Sequence, residues 1–484
     1  MKTNENTETE TFDPENLIDQ GFRDKVATIN EEGKRNYIFP KKPKGKYTNY
    51  RQYLSYVLLA ILFGLPWIEV DGHPFMLFDV LNRKFIIFGQ IFWPADFLLF
   101  VFAMLIGIIF IAVFTVAFGR LFCGWVCPQT IFMEHVFRRI EYWIEGDRRQ
   151  QLKLKQMPWN AEKIRKKGIK NFIFYLISFA ISNVFLMYII GKDPWIELVT
   201  DPPSEHVGGL TAMVVFSGIF YFVFAWFREQ VCIIVCPYGR LQGALLDRNS
   251  IVIAYDYLRG EKRGKFRKKE DREAAGKGDC IDCHQCVDVC PTGIDIRNGT
   301  QLECINCTAC IDACDDVMRK INKPEGLIRF DSENNIASGK STVFNTRVKA
   351  YTAVLAVLLV VFNILLFSRS EVQAIVTRVP GQRFQKVDAQ TYSNAYNFKL
   401  INKTAQNKVY TIKVLEPEGA SLVMASSNDI VTPKSELAKG ALLLHLHRSD
   451  LQGTSTPVKL GVYEGDRLVE TVKSSFTGPL VKPK

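Results

Sequence analysis

Long apolar runs separated by charged segments constrain this fold more than any other feature of the sequence. About 20 apolar residues are enough to cross roughly 30 Å of hydrocarbon as a helix. Five runs approach that length, at 53–70, 97–118, 172–190, 210–227 and 350–368. The first is the least regular, because Pro66 and Glu69 lie near its end, and 85–92 is a sixth, partial candidate. The sequence therefore predicts a mainly α-helical membrane protein with about five transmembrane helices.

Lysine and arginine are distributed unevenly among the connections between these runs. The segment 120–170 contains twelve of them, whereas 71–96 contains two and 191–209 contains one. Since basic residues are retained in cytoplasmic loops, the two poor connections should face the periplasm. The N-terminus and the cysteine-rich region should then be cytoplasmic. The net charge of +11 is explained by these loops, and we expect no nucleic-acid partner.

This pattern divides the chain into segments of different character. Residues 1–33 are polar and resemble a disordered segment without a secretory signal, so the first membrane helix should act as its own insertion signal. The predicted units are a cytoplasmic tail at 1–51, a membrane domain with four helices at 52–227, a cytoplasmic region at 228–348, a last helix at 349–368 and a periplasmic domain at 369–484.

The predicted periplasmic domain has the pattern of an all-β fold. Short alternating stretches occur at 397–400, 409–415, 442–447 and 458–463, separated by Gly, Pro, Asn and Asp. Alternation with turn residues at this spacing is typical of a β-sandwich. We expect an immunoglobulin-like sandwich without the disulfide.

Eight cysteines form the strongest chemical signal, within a module at about 275–325. They occur as two runs with the spacing Cys-x2-Cys-x2-Cys-x3-Cys, which resembles bacterial two-cluster ferredoxins. By that pattern, one [4Fe–4S] cluster takes Cys280, Cys283, Cys286 and Cys314, and the other takes Cys304, Cys307, Cys310 and Cys290. Two zinc sites are the alternative, but two copies of a three-gap pattern favour iron–sulfur clusters. Asp315 stands where the second run would repeat the proline of the first.

Four further cysteines form a repeated motif near the ends of the second and fourth runs. The motifs are Cys123-Gly-Trp-Val-Cys127-Pro and Cys232-Ile-Ile-Val-Cys236-Pro. Positions four apart share one face of a helix, so each pair could direct two sulfurs to one point. If the two halves pack about a pseudo-two-fold axis, the four thiols could hold a soft metal such as Cu(I). The alternative is that they are buried structural cysteines.

The motifs together resemble a known family. The stretches CGWVCPQT at 123–130, CPYGR at 236–240, CPTGIDIRNG at 290–299 and ECINCTACIDACD at 303–315 are similar to those of the cytochrome c oxidase accessory protein family CcoG, also called FixG or RdxA. The similarity covers nearly the whole chain from about Tyr37. A more distant similarity links it to membrane ferredoxins of the periplasmic nitrate reductase system.

The resemblance implies a multi-pass protein of the bacterial inner membrane with two [4Fe–4S] clusters. It further implies a role in maturing the cbb-type oxidase, by reducing Cu(II) to Cu(I) before copper is loaded. Cys123, Cys127, Cys232 and Cys236 would be the copper site. The expected partners are the oxidase, its copper-delivery machinery and a cytoplasmic electron donor, and a homo-oligomer stays open. Two alternatives also stay open: a quinol-linked conduit to a periplasmic reductase, and an assembly scaffold for the oxidase.

Overall fold

The computed structural model describes residues 28, 29, 32, 34–70, 72–80, 84–92, 96–267, 270–339, 345–368, 370–381, 383–404, 406–425, 427–433 and 437–479. Most of the predicted disordered tail lies outside these residues. The described chain forms two compact units. The first comprises the described residues within Met1–Glu69, Pro74–Arg83 and Phe100–Val360, and the second those within Val70–His73, Lys84–Leu99 and Val361–Lys484.

Four helices of the described chain are long and apolar enough to cross a membrane. They are Phe97–Phe118, Ala161–Ile190, Val207–Phe227 and Thr346–Phe367. In the first and last, only 6% and 0% of the apolar window is buried within the protein, which leaves the apolar side chains for contact with lipid. The second begins before its predicted start because the Asn160 side chain accepts a hydrogen bond from the Lys163 amide at 2.9 Å and caps a polar first turn.

The first predicted span, 53–70, differs from the prediction. The helix there is Lys46–Gly64, and a 3₁₀ turn and a two-residue strand follow it. Pro66 lacks an amide hydrogen and therefore cannot continue the helical hydrogen bonding. The apolar part of the helix, 53–64, is about 18 Å long at 1.5 Å per residue, which is shorter than a full span.

The residues at the two ends of this segment have distant partners. At one end, Arg51 donates to the Cys307 carbonyl at 2.9 Å. At the other end, Glu69 forms an ion pair with Lys192, and the rings of Trp67 and Trp195 meet edge to face at 6.2 Å. The segment 51–69 thus connects the cysteine-rich region to the residues just after the helix Ala161–Ile190.

The sixth, partial membrane candidate at 85–92 is not a helix. It is a β-hairpin in which Lys84–Ile87 pairs with Gln90–Phe92. Phe88 and Gly89 form its turn with φ angles of 54° and 74°. A turn with two positive φ angles matches the twist of a tight hairpin. The candidate at 85–92 therefore folds as two short strands and does not cross the membrane as a helix.

The first unit contains further short elements. Its other α-helices are Leu121–Trp125, Pro128–Thr130, Arg138–Ile144, Arg148–Gln156, Lys192–Thr200, Pro237–Leu245, Tyr257–Gly260, Gln285–Asp288, Ala309–Lys320 and Glu333–Ser338. π-Helical turns occur at Ile131–Phe137, Val223–Phe227 and Val231–Val235. π-Helical turns are rare and often accompany functional sites. The first follows the first Cys-x3-Cys-Pro motif, the second precedes the second motif, and the third contains Cys232 of the second motif.

The two ferredoxin-like cysteine runs have the same backbone conformation. Asp282 and His284 in the first run have φ angles of 53° and 55°, and Asn306 and Thr308, at the same positions of the second run, have 53° and 64°. Left-handed backbone at matched positions indicates that each run folds as a copy of the other. The strands Val252–Tyr255 and Ile328–Asp331 pair antiparallel beside them.

The second unit contains the predicted all-β domain. One sheet has the strand order Ser421–Met424, Leu437–His447, Thr391–Asn402, Val372–Arg378, with Gln385–Lys386 at its margin; the other has Ile430–Thr432, Lys408–Glu416, Ser455–Glu464, Arg467–Thr477. Leu442, Leu444 and Leu446 alternate with outward residues and are 0% exposed, as expected for strands with one buried face. Tyr396 and Phe476 are also fully buried in this core.

Candidate metal centres

The four cysteines assigned to the first cluster line one cavity. Cys280, Cys283 and Cys286 of the first run meet Cys314, which the helix Ala309–Lys320 contributes, around this cavity. We call this set site I. Tyr255 lines the same cavity.

The four cysteines assigned to the second cluster line another cavity. Cys304, Cys307 and Cys310 meet Cys290 there, and we call this set site II. Cys286 lines this cavity as well, so the two sites are neighbours. The structure therefore brings together the same crossed sets that the spacing predicts.

The donor atoms at both sites fit an iron–sulfur cluster. Burial raises the pKa of the thiols of Cys286 and Cys304 to about 12, and that of Cys307 to about 11. Buried thiols of this kind stay neutral until a cationic metal displaces the proton. Four sulfurs around an apolar cavity suit a soft iron–sulfide core. Each set would hold one cluster by its four thiolates.

The four remaining cysteines also come together, and we call them the thiol quartet: Cys123, Cys127, Cys232 and Cys236. Burial, followed by the nearby thiols of Cys127 and Cys123, raises the pKa of Cys232 to about 12, and Cys236 acts in the same direction. The Cys123 thiol donates to Gln242 Oε1 at 2.9 Å. Gln242 lies on the helix Pro237–Leu245 of the second motif, so this hydrogen bond joins the two motifs.

The predicted placement of each pair on one continuous helix is wrong. Cys123 lies in the helix Leu121–Trp125, but Cys127 caps the next helix in an extended conformation, and Cys236 likewise caps Pro237–Leu245. The prolines after Cys127 and Cys236 occupy the first helical position, which favours a new helix start. The thiols converge through these breaks.

The quartet borders site II directly. Cys123 packs with Cys307 and Ile305 in one buried cluster. Trp125 Nε1 donates to the Asn306 carbonyl at 3.2 Å, and a Cβ on Gly124 would lie 2.3 Å from the Ile305 carbonyl oxygen. The helix Leu121–Trp125 therefore lies against the cysteine loop of site II, with no room for a side chain at position 124.

An N-terminal arm, residues 41–51, completes the ferredoxin module. The Asp312 carboxylate accepts hydrogen bonds from the backbone amides of Tyr47 and Thr48 at 3.1 and 2.7 Å, and from the Thr48 hydroxyl at 2.6 Å. These amides open the helix Lys46–Gly64, so a carboxylate from another helix caps it. The Lys41 ammonium also donates to Gln285 Oε1 at 2.8 Å.

A buried ion pair joins the two halves that carry the motifs. Arg228 donates to both carboxylate oxygens of Glu141, at 3.0 and 2.9 Å, and both side chains are less than 5% exposed. Burial acts to raise the pKa of Glu141, but Arg228 and other cations outweigh it and lower the pKa. Nearby, Arg138 lies 2.9 Å from Glu134. Bidentate pairing of this kind fixes the relative position of the two segments.

Three family models match the chain. Residues 227–333 match a 4Fe–4S dicluster domain, residues 100–149 match a 4Fe–4S binding domain, and residues 362–479 match the Ig-like fold at the C terminus of FixG, which is described as a proposed oxidoreductase. The match at 227–333 supports iron–sulfur clusters over zinc at sites I and II.

Full-length relatives extend these matches over most of the chain. Protein RdxB of Cereibacter sphaeroides is 34% identical over 453 residues, which are 88% of this chain and 94% of that protein. The chain belongs to the FixG/RdxA/RdxB family. Protein RdxA of the same organism is 33% identical over 85% of this chain and 89% of its own. The nitrogen fixation protein FixG of Rhizobium meliloti is 36% identical over 317 residues, which are 63% of this chain and 59% of that protein.

A solved structure also resembles part of the chain. The crystal structure of a FixG-related protein from Vibrio parahaemolyticus matches with a TM-score of 0.21 and 20% identity, over 23% of this chain and 100% of its own.

The relatives and family models confirm the resemblance and the fold class predicted from the sequence. The FixG-family chain has candidate membrane helices, 4Fe–4S binding domains and a C-terminal Ig-like domain. It is therefore an iron–sulfur membrane protein of a family with a proposed oxidoreductase role.

Sequence reasoning missed two buried polar side chains near the cysteines. Arg51 and Gln242 are 3% and 0% exposed, and Arg120, which precedes the first motif in the sequence, is 4% exposed. Arg51 belongs to a basic stretch that precedes an apolar run, and its composition is typical of a solvated membrane flank. Only the fold shows that this arginine points inward, so no sequence signal identified it.

Proposed function

We propose that this chain reduces Cu(II) to Cu(I) at the thiol quartet, for assembly of the copper centre of a cbb-type cytochrome c oxidase. The observation that carries the proposal is the packing of Cys123, a quartet member, against Cys307 of site II. A redox-active metal at site II would thus adjoin a separate set of four thiols. The iron–sulfur domains and the oxidoreductase role proposed for FixG support the electron-transfer part.

The quartet has the chemistry for copper as substrate. Thiolate sulfur is a soft ligand that prefers Cu(I), so binding at four thiols favours the reduced ion. Because burial raises the pKa of Cys232 to about 12, copper binding would release protons from these thiols. Each Cu(II) takes one electron to become Cu(I).

The exposure of the cysteines supports an order for the centres. Of the twelve cysteines, all within the described ranges, Cys283 of site I alone is exposed, whereas Cys307 and Cys310 of site II are buried. When bound, the clusters supply one-electron storage at sites I and II. A donor would reach site I at Cys283, and the quartet would lie beyond site II.

The contacts at the two ends of 51–69 support a fifth crossing and the proposed orientation. If 51–69 crosses with the four apolar helices, the N-terminal arm and the ferredoxin module share the cytoplasmic side. The Ig-like domain would then be periplasmic. A phosphatase fused after Val379 should be active and one fused at Gly264 should be inactive, and the reverse pattern would refute this orientation.

Two cysteine variants test copper reduction in the purified, reconstituted protein. With a chemical reductant and a cuprous-specific dye under anaerobic conditions, Cys127→Ser/Cys236→Ser should keep its iron but neither bind nor reduce copper. Cys283→Ser, the matched control, should still bind copper but reduce it poorly. Copper reduction at the normal rate by the double variant would refute the proposal.

A third [4Fe–4S] cluster is a second candidate occupant of the quartet. The match of residues 100–149 to a 4Fe–4S binding domain favours it, because that segment contains Cys123 and Cys127. The Cys-x3-Cys-Pro spacing also recurs at Cys286-x3-Cys290-Pro291. Iron analysis separates the two, since three four-iron clusters require about twelve iron atoms per chain and two require about eight.

A quinol-linked conduit to a periplasmic reductase is a second candidate function, favoured by an apolar pocket of about 360 Å³. Leu62, Phe132 and Tyr188 line it together with Val126 and Pro128, the two neighbours of Cys127. A quinol is an apolar molecule that could reach such a pocket from the bilayer. Reduction of the clusters by a soluble quinol analogue would support this function. If a chemical reductant reduces the clusters but the quinol analogue does not, that result would argue against it.

A further inference from the structure

Arg51 is a buried cation between the quartet and site II. Its Nε donates to the Gly124 carbonyl at 3.0 Å, and its Nη1 donates to the Cys307 carbonyl at 2.9 Å. Gly124 follows quartet cysteine Cys123, and Cys307 belongs to site II. One guanidinium thus links the backbone of both centres.

The positive charge of Arg51 has no carboxylate to neutralise it among the described residues. The side chain is 3% exposed, and its Nη2 has no hydrogen-bond partner within the described chain. A buried cation with an unpaired donor is costly unless a negative charge lies nearby. Four thiolates at site II would provide that charge.

Arg120 reinforces the same environment. It is 4% exposed, and it lies close enough to act on the thiols of Cys304 in site II and Cys123 in the quartet. Its Nε also has no hydrogen-bond partner in the part of the chain that is described. Within the described ranges, neither of the two buried arginines next to site II forms an ion pair.

Site I has an arginine whose charge is neutralised. Arg297 lies near Cys286, but its Nη1 is 2.6 Å from Asp282 and its Nη2 is 2.6 Å from Asp295. At site I, Arg272 is 6% exposed and donates to the Cys280 carbonyl at 3.0 Å, so the backbone of each site accepts a hydrogen bond from one buried arginine. Because reduction adds an electron, a nearby positive charge favours the reduced form.

We infer that Arg51 makes site II easier to reduce than it would be without this charge, while its two hydrogen bonds hold the quartet helix against site II. The inference rests on the proposed order of site I, site II and quartet. Arg51 acts here as a positioning and potential-setting residue, and it touches the backbone of the centres without being a ligand.

The test is an anaerobic redox titration of the reconstituted full-length protein, followed by electron paramagnetic resonance. Signals of site II are assigned with Cys283→Ser, which removes site I. In Arg51→Gln, the ratio of reduced site II to reduced site I should fall at least tenfold, about 59 mV for a one-electron couple. Arg120→Gln should shift the ratio in the same direction. Arg51→Lys keeps the charge and should stay within twofold of the wild type.

Arg139→Gln is the matched control. Arg139 also acts on the buried His135 near Arg51, but it donates to the Tyr56 hydroxyl at 2.6 Å and forms no hydrogen bond with the cysteines among the described residues. The ratio of reduced site II to reduced site I should therefore not change in Arg139→Gln. An unchanged ratio in iron-replete Arg51→Gln would overturn the inference. If Arg51→Gln loses iron, a tenfold shift in Arg51→Lys would overturn it instead. Copper is absent from this titration, so failure of copper reduction alone leaves the result standing.

Discussion

Replacing Gly124 by alanine should separate the quartet from site II. The new Cβ would lie 2.3 Å from the Ile305 carbonyl oxygen and 3.0 Å from the Asn306 carbonyl, whereas ordinary contacts begin at 3.4 Å. To lengthen the contact between the Cβ and the Ile305 oxygen from 2.3 Å to the ordinary 3.4 Å, the helix Leu121–Trp125 must move away by about 1 Å. Overpacking of this kind costs about 1–3 kcal/mol.

The same retreat lengthens two hydrogen bonds. The Trp125 Nε1 to Asn306 carbonyl bond starts at 3.2 Å and the Arg51 Nε to Gly124 carbonyl bond at 3.0 Å. A typical hydrogen bond contributes about 0.5–1.5 kcal/mol net, so with both bonds weakened the total loss of stability should be at most about 2–6 kcal/mol. Electron transfer from site II to copper should also slow, because the centres lie farther apart.

Thermal unfolding of the iron-loaded protein and single-turnover copper reduction measure these two effects. Gly107→Ala is the matched control, because Gly107 lies in the helix Phe97–Phe118 and its Cβ would meet nothing within 4 Å. It should be neutral or stabilising by up to about 1 kcal/mol. A Gly124→Ala protein that matched Gly107→Ala in both stability and copper reduction would refute the close-packing argument.

Three further predictions concern charge and metal content. Glu141→Gln should cost about 3–5 kcal/mol, because it removes the bidentate carboxylate partner of the buried Arg228. Since the folded pKa of Glu141 is lowered, the stabilisation in the wild type should persist above about pH 4.5 and be lost as the pH falls through the folded pKa. Unfolding measurements from pH 7 to pH 3 would show this loss. Burial, followed by Arg51 and Arg139, lowers the pKa of His135 to about 3. As the pH falls, His135 therefore binds a proton in the unfolded state before it does so in the folded state. The free energy of unfolding should decrease by about 1.4 kcal/mol per pH unit as the pH falls from about 6.5 to about 3, and His135→Gln should reduce this slope. Cys283→Ser should lower the iron content from about eight to about four atoms per chain.

Each of these predictions has a result that contradicts it. Equal stability of Glu141→Gln and wild type at pH 7 would show that the ion pair contributes nothing. An unchanged acid slope in His135→Gln would mean that other groups control the acid response. Zinc in place of iron, or full iron content in Cys283→Ser, would exclude Cys283 as a cluster ligand.

Local spacing determined how much of the site was predictable. The crossed sets, with Cys314 joining Cys280 and Cys290 joining Cys304, follow from short loops that hold three cysteines each, and the structure brings together the same sets. The placement of Cys123 and Cys127 on one helix was wrong because a proline starts a new helix there. Hydrophobicity predicted five spans, of which four are helices long enough to cross a membrane, but it could not show that the helix at the first span ends at Gly64.

Buried polar contacts were beyond sequence reasoning because they depend on distant segments. Arg51 looked like one basic residue among several, and only packing distinguishes it from its solvated neighbours. The bond from Glu141 to Arg228 joins residues 87 positions apart. Neither composition nor periodicity carries information on such pairings.

The capping of the N-terminal arm by Asp312 has a consequence for biosynthesis. Thr48 and Asp312 are 264 positions apart in the chain. A ribosome adding roughly 5–20 residues per second needs about 13–53 s to synthesise that length. The Tyr47 and Thr48 amides must therefore wait, hydrated or chaperoned, until most of the membrane helices have been inserted. Site II acquires Arg51 through the same late closure, so a nascent chain would expose its second cysteine run to iron donors before its N-terminal arm docks.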